Sequence, residues 1–103
     1  MEDNFTLRYL PLFNKEITTA RDYIAKTLEN PLAAMRLVED TEKAIFKRLA
    51  NPLSFKPYHS KKYRKHPYYC IYVKNYVVFY VVIGNVMEVR RFIHSKRDLE
   101  NLV

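Results

Sequence analysis

Residues 76–83, Tyr-Val-Val-Phe-Tyr-Val-Val-Ile, form an unbroken run of eight β-branched and aromatic positions. Such a run predicts a central strand buried on both faces and is too short to cross a membrane. Lys74-Asn75 separates it from the apolar stretch Tyr68 to Val73, and Gly84-Asn85 separates it from Val86 to His94. Gaps of two residues predict tight hairpins, with Gly84 taking positive φ at the first central position and Asn75 tolerating left-handed geometry. Residues 68–97 therefore read as an antiparallel meander.

The upstream half reads as support for that sheet. Phe5 to Leu10 alternates apolar and polar and is closed by Pro11, the pattern of a first strand. From Asn14 a helix is predicted, because Phe13, Ile17, Ala20, Ile24 and Leu28 recur at spacings of three and four. Asn30-Pro31 supplies a cap followed by proline at the first helical position, so a second helix starts there and stops at Asn51-Pro52. Ala34, Val38, Ile45 and Leu49 mark its inward stripe, widened by Met35 and Leu37. The short link makes the two helices antiparallel. The expected fold is α+β, in the order β-α-α-β-β-β. An antiparallel helix hairpin packs on one face of a mainly antiparallel four-stranded sheet, with room for a short C-terminal helix. The other sheet face is left for a partner.

At 103 residues the chain is expected to be one domain, residues 1–103. No run of 18 apolar residues occurs, the N-terminus lacks a secretory pattern, and a single cysteine, Cys70, cannot form an internal disulfide. These features suggest a cytoplasmic protein without a membrane span. Charge is segregated. Residues 1–55 balance eight basic against eight acidic side chains, whereas residues 56–97 carry ten Lys and Arg against one acid, Glu88, a net +9. The asymmetry suggests a polyanionic partner, nucleic acid or an acidic protein segment; a solvated basic face is the plainer alternative. Much of the charge lies in the Pro-punctuated loop 52–67, where Lys61, Lys62, Arg64 and Lys65 alternate with tyrosines and histidines as nucleic-acid contacts do.

Alternation along Val86 to His94 puts Met87, Val89, Arg91 and Ile93 on the core side and Glu88, Arg90, Phe92 and His94 on the open face. An arginine and a histidine sharing that face can hold a phosphate and move a proton; equally, they can be an ordinary surface arginine and a strand-end histidine bonded to backbone. A single glycine excludes a phosphate-binding glycine loop, and the three histidines with Cys70 lack metal-ligand spacing, so neither cofactor nor metal is expected. The tyrosines of the meander read as packing residues with wet hydroxyls.

Three segments resemble the RelE/ParE superfamily of toxins from bacterial type II toxin-antitoxin systems. They are the hairpin end Leu49-Ala50-Asn51-Pro52, the strand Asn75-Tyr76-Val77-Val78-Phe79-Tyr80, and the closing Arg90-Arg91-Phe92-Ile93-His94-Ser95-Lys96-Arg97-Asp98. The resemblance implies one of two activities. RelE-like members cleave mRNA in the ribosomal A site without a metal. On that reading His94 is a general acid or base, Arg90, Arg91 and Arg97 stabilise phosphate charge, and Lys61, Lys62, Arg64 and Lys65 bind rRNA or mRNA. ParE-like members are not enzymes and poison DNA gyrase. Two arginines common in the family are absent, their places held by Tyr69 or Cys70 and by Val77. The long hairpin favours ParE, the basic loop favours RNA, and an inactive binding protein is a third reading. The ribosomal nuclease is the first expectation. Either activity implies a cognate antitoxin, expected to be acidic and partly disordered.

Overall fold

The computed structural model describes residues 4–59, 62 and 64–103. Strand β1 (Thr6–Tyr9) leads directly into helix α1 (Pro11–Asp22), with Pro11 pre-setting φ in its first turn. The helix therefore begins three residues before the expected Asn14. It runs into a π-helical turn, Tyr23–Thr27, in which Leu28 N–H reaches back to Tyr23 O at 3.1 Å. That extra residue per turn breaks the apolar spacing, and Leu28 is 55% exposed instead of completing the buried stripe.

Helix α2 (Pro31–Leu49) starts where the cap predicts, with Asn30 Oδ1 accepting the Ala33 N–H at 3.1 Å. Its buried positions are Ala34, Leu37, Thr41 and Ile45; Val38 is only half-buried and Met35 faces solvent. Thr41 escapes an apolar count, yet its side chain is fully buried. Its hydroxyl donates to Leu37 O at 2.7 Å, so no polar atom is stranded.

Strands β2 (Tyr69–Val73), β3 (Tyr76–Ile83) and β4 (Val86–His94) form the predicted meander. Among the described residues the sheet has four strands in the order β1-β4-β3-β2, β1 lying parallel to β4 and the other pairs antiparallel. Val77 to Val81 of β3 are inaccessible to solvent, as a strand covered on both faces should be. At the first hairpin the left-handed residue is Lys74 (φ 53°), not Asn75; at the second it is Gly84 (φ 60°). Both turns thus place positive φ at their first central position.

The register between β3 and β4 slips once. Phe79 pairs with Arg91 and Tyr80 with Val89, leaving Arg90 as the extra residue of a β-bulge. The bulge overturns the simple alternation expected for β4. Met87, Val89 and Phe92 pack on the helix side with Phe13, Leu37 and Ile45; Ile93 packs on the opposite face with Val77, Phe79 and Val81. That opposite face is also less open than expected, because Tyr58, Tyr68, Val103 and the half-buried Leu99 and Leu102 of helix α3 (Leu99–Leu102) lie against it.

Tyr80 ties the layers together. Its ring is stacked on Tyr69 at 5.3 Å, and its buried hydroxyl donates to Pro52 O at 2.8 Å while accepting from Arg48 Nη1 at 3.0 Å. This hydroxyl is dry, contrary to the expectation of wet tyrosine hydroxyls, and burial raises its pKa. Tyr80→Phe should strand the Pro52 carbonyl and cost about 1–2 kcal/mol in a urea unfolding measurement; an unchanged midpoint would show that the bond adds nothing.

Candidate functional site

Strand β4 has nine residues, but β1 pairs only with Val86 to Val89. Beyond Val89 the edge of β4 would expose ladder groups, and α1 covers it with one carboxylate. Glu16 Oε1 accepts the Phe92 N–H at 3.0 Å, and both oxygens take the Arg91 fork, Nε at 3.1 Å and Nη2 at 2.9 Å. Arg91 Nη1 also donates to Leu102 O at 3.1 Å. The Glu16 hydrogen bond, aided by its charge, outweighs partial burial and raises the Arg91 pKa, so this arginine stays cationic but neutralised.

Arg90 has its own carboxylate. Its Nε donates to Glu88 Oε1 at 2.8 Å, and Arg8 of β1 donates from Nε to Glu88 Oε2 at 2.8 Å. The Glu88 side chain is 8% exposed, between two arginines. Burial alone would raise its pKa, but the hydrogen bonds from Arg90 and Arg8 overcome that and lower it. Arg90 also sits 6.0 Å from the Tyr68 ring centre, over which Arg64 lies at 4.3 Å.

His94 belongs to the other side. Tyr76 stacks on Phe92 at 4.7 Å, and His94 meets Tyr76 edge-on at 5.0 Å. The Nδ1 of His94 accepts the Lys96 N–H at 3.1 Å, which leaves Nε2 to carry the proton of the neutral ring. A groove of about 560 Å³ between α1 and the end of β4 brings His94 together with Arg97, Lys15 and Tyr23. The four residues expected to act as one catalytic set are therefore split: His94 and Arg97 share the helix-side groove, Arg91 is held at the strand edge between Glu16, which lines that groove, and Leu102 O, and Arg90 is paired with Glu88 near Tyr68. The expected pairing of Arg90 with His94 on one face does not occur.

The basic loop joins the sheet face opposite the helices. Lys62 Nζ donates to Asn101 O of α3 at 3.0 Å and Arg64 Nη2 to Val103 O at 2.8 Å, so the loop holds α3 and the residue that follows it. Lys65 is exposed, and Lys61 lies outside the described residues. Cys70 is not a nucleophile near neutrality, because burial pushes its thiol up to about 12 despite the nearby Arg48. Sequence reasoning missed Glu16, Arg8 and Arg48. The one available signal was Glu88, a lone acid inside an apolar strand.

The sequence profile of the family described as "ParE toxin of type II toxin-antitoxin system, parDE" matches residues 7–99. The chain belongs to this ParE toxin family, within the RelE/ParE superfamily. The fold is similar to a solved structure of the chromosomal ParDE TA system from P. aeruginosa, with a TM-score of 0.76 and 12% identity, covering 92% of this chain and 100% of that one. A comparison with curated proteins finds no match. Family membership makes the protein the toxin of a type II module and implies an antitoxin partner. Among the described residues no helix is long and apolar enough to cross a membrane.

Glu88 gives this toxin a signature in acid. Its folded-state pKa lies below the ordinary value of 4.5, so the stability it contributes is complete above about pH 4.5 and is lost as pH falls through the depressed folded value. Glu88→Gln should flatten the decline in thermal midpoint below pH 4.5. It should also lower the midpoint at pH 7, where both arginines lose their counter-charge. Parallel curves for the two proteins would show that Glu88 is not the group responsible.

Proposed function

We propose that this toxin arrests growth by binding DNA gyrase and does not cleave RNA. The observation that carries the reading is the pairing of Arg90 with Glu88 and of Arg91 with Glu16, which occupies both arginine charges. Metal-free cleavage of a phosphodiester needs cations free to meet the phosphate and a proton-moving group on the same side. Here each arginine would first have to give up a charge-assisted bond to a carboxylate, and Glu16, which lines the groove of His94, would set a negative charge against the phosphate. Family membership supports the same choice, since the ParE-like activity implied by the resemblance is non-enzymatic.

One observation favours the ribosomal nuclease instead: His94, Arg97 and Lys15 share an open groove with Tyr23 and Tyr76, a set that can hold phosphate and stack a base. The two readings separate cleanly in assay. Purified gyrase should lose supercoiling activity with excess toxin, and primer extension on mRNA from arrested cells should show intact message. Cleaved message with normal supercoiling would overturn the proposal.

The antitoxin fits the same charge pattern, an acidic segment meeting the basic residues of 56–97. Its association rate should fall about tenfold or more between low and physiological salt. A salt-independent rate would remove the electrostatic argument.

A further inference from the structure

The end of α2 and the turn after it display apolar side chains that the fold does not use. Phe46 is 68% exposed, Leu53 55% and Phe55 49%. They surround two adjoining grooves that share Asn51 and Ser54. One, of about 640 Å³, sets Phe5, Phe46, Leu49 and Leu53 beside the polar Asn4, Asn51 and Ser54; the other, of about 420 Å³, includes Lys47, Arg48 and Phe55. Among the described residues no acidic side chain lines either groove, and Lys43 lies exposed one turn before Phe46 and Lys47.

The backbone that carries these side chains is held in place. Tyr80 hydroxyl fixes Pro52 O from the core, Asn51 N–H returns to Arg48 O at 3.0 Å, and Ser54 N–H to Asn51 O at 3.3 Å. Arg48, tied to Cys70 O and Tyr80 hydroxyl at 3.0 Å each, places its guanidinium 3.5 Å from the centre of the Phe55 ring. The exposed rings therefore cannot relax inward. Apolar anchors fixed in advance lose little entropy on binding, and a cluster of them beside a charged rim is the composition of an interaction centre.

We infer that this surface docks the toxin's protein target, receiving an apolar side chain in the groove of Phe46 and Leu53 and a carboxylate beside it at Lys47 and Arg48. Charge complementarity selects the acidic neighbour. Confinement of the surface to one turn and one helix end suits a local projection of a folded partner better than a long wrapped chain. The inference rests on the non-nucleolytic reading above.

The test uses the full-length toxin with two variants, Phe46→Ser with Leu53→Ser, and Lys47→Glu. Each should need about tenfold more protein for half-inhibition of gyrase supercoiling, a loss typical of an interface centre. Antitoxin affinity should stay within about twofold and the thermal midpoint should be unchanged, because the altered side chains are exposed. Inhibition equal to that of the unmodified chain overturns the inference, and so does a matching loss of antitoxin affinity, which would give the surface to the antitoxin. If the unmodified chain does not inhibit gyrase, the functional proposal fails on its own, and the same variants are scored by growth arrest. Weakened arrest with intact antitoxin binding then supports the surface, and undiminished arrest overturns it.

Discussion

Strand β4 carries one residue more than β3 can pair, and the surplus, Arg90, is absorbed as a bulge in mid-strand. Everything chemically notable follows from where that residue sits. Before the bulge, Met87 and Val89 face the helices; after it, Phe92 does and Ile93 faces the other layer, while Arg91 is left at the strand edge between Glu16 and Leu102 O. The same slip sets Phe92 against Phe13 at 5.9 Å and Tyr76, and thereby seats His94 beside the helix-side groove. One inserted position thus separates His94 from Arg90, which alternation would have placed on one face.

Electrostatic pairing completes the division. The +9 stretch looks like an uninterrupted basic surface in sequence, but two acids meet its strand arginines where they emerge. Glu88 comes from the same strand and is shared with Arg8 of β1, joining the parallel edge to the bulge. Glu16 comes from α1 and closes the unpaired edge of β4 as well as the Arg91 charge. Neither carboxylate is a surface ornament: Glu16 also accepts a strand N–H that the sheet leaves without a partner, and Glu88 ties two strands through their arginines.

The elements themselves were legible because their signals are local: the eight-residue apolar run, the two-residue gaps, and Asn30-Pro31 at the start of α2. What the sequence concealed is what depends on distant partners. A bulge has no composition of its own when the extra residue is an arginine instead of a glycine, so the faces of residues 91–94 came out reversed. The π-helical turn at Tyr23–Thr27 likewise leaves no mark in the sequence, yet it rotates Leu28 out of the apolar stripe and into solvent. Candidate site residues were found by type, but their grouping was not, because Glu16 and Arg91 are 75 positions apart. Arg48, which braces Phe55 and Tyr80, looked like any helix-end cation.

The parallel pairing of β1 with β4 has a temporal consequence. Thr6 aligns with Val86, and the ion pair that seals the two strands joins residues 80 apart in sequence. Closing so long a loop is entropically slow, and no nearer strand offers β1 a place. A chain emerging from the ribosome therefore holds its first strand idle until its last strand has been made.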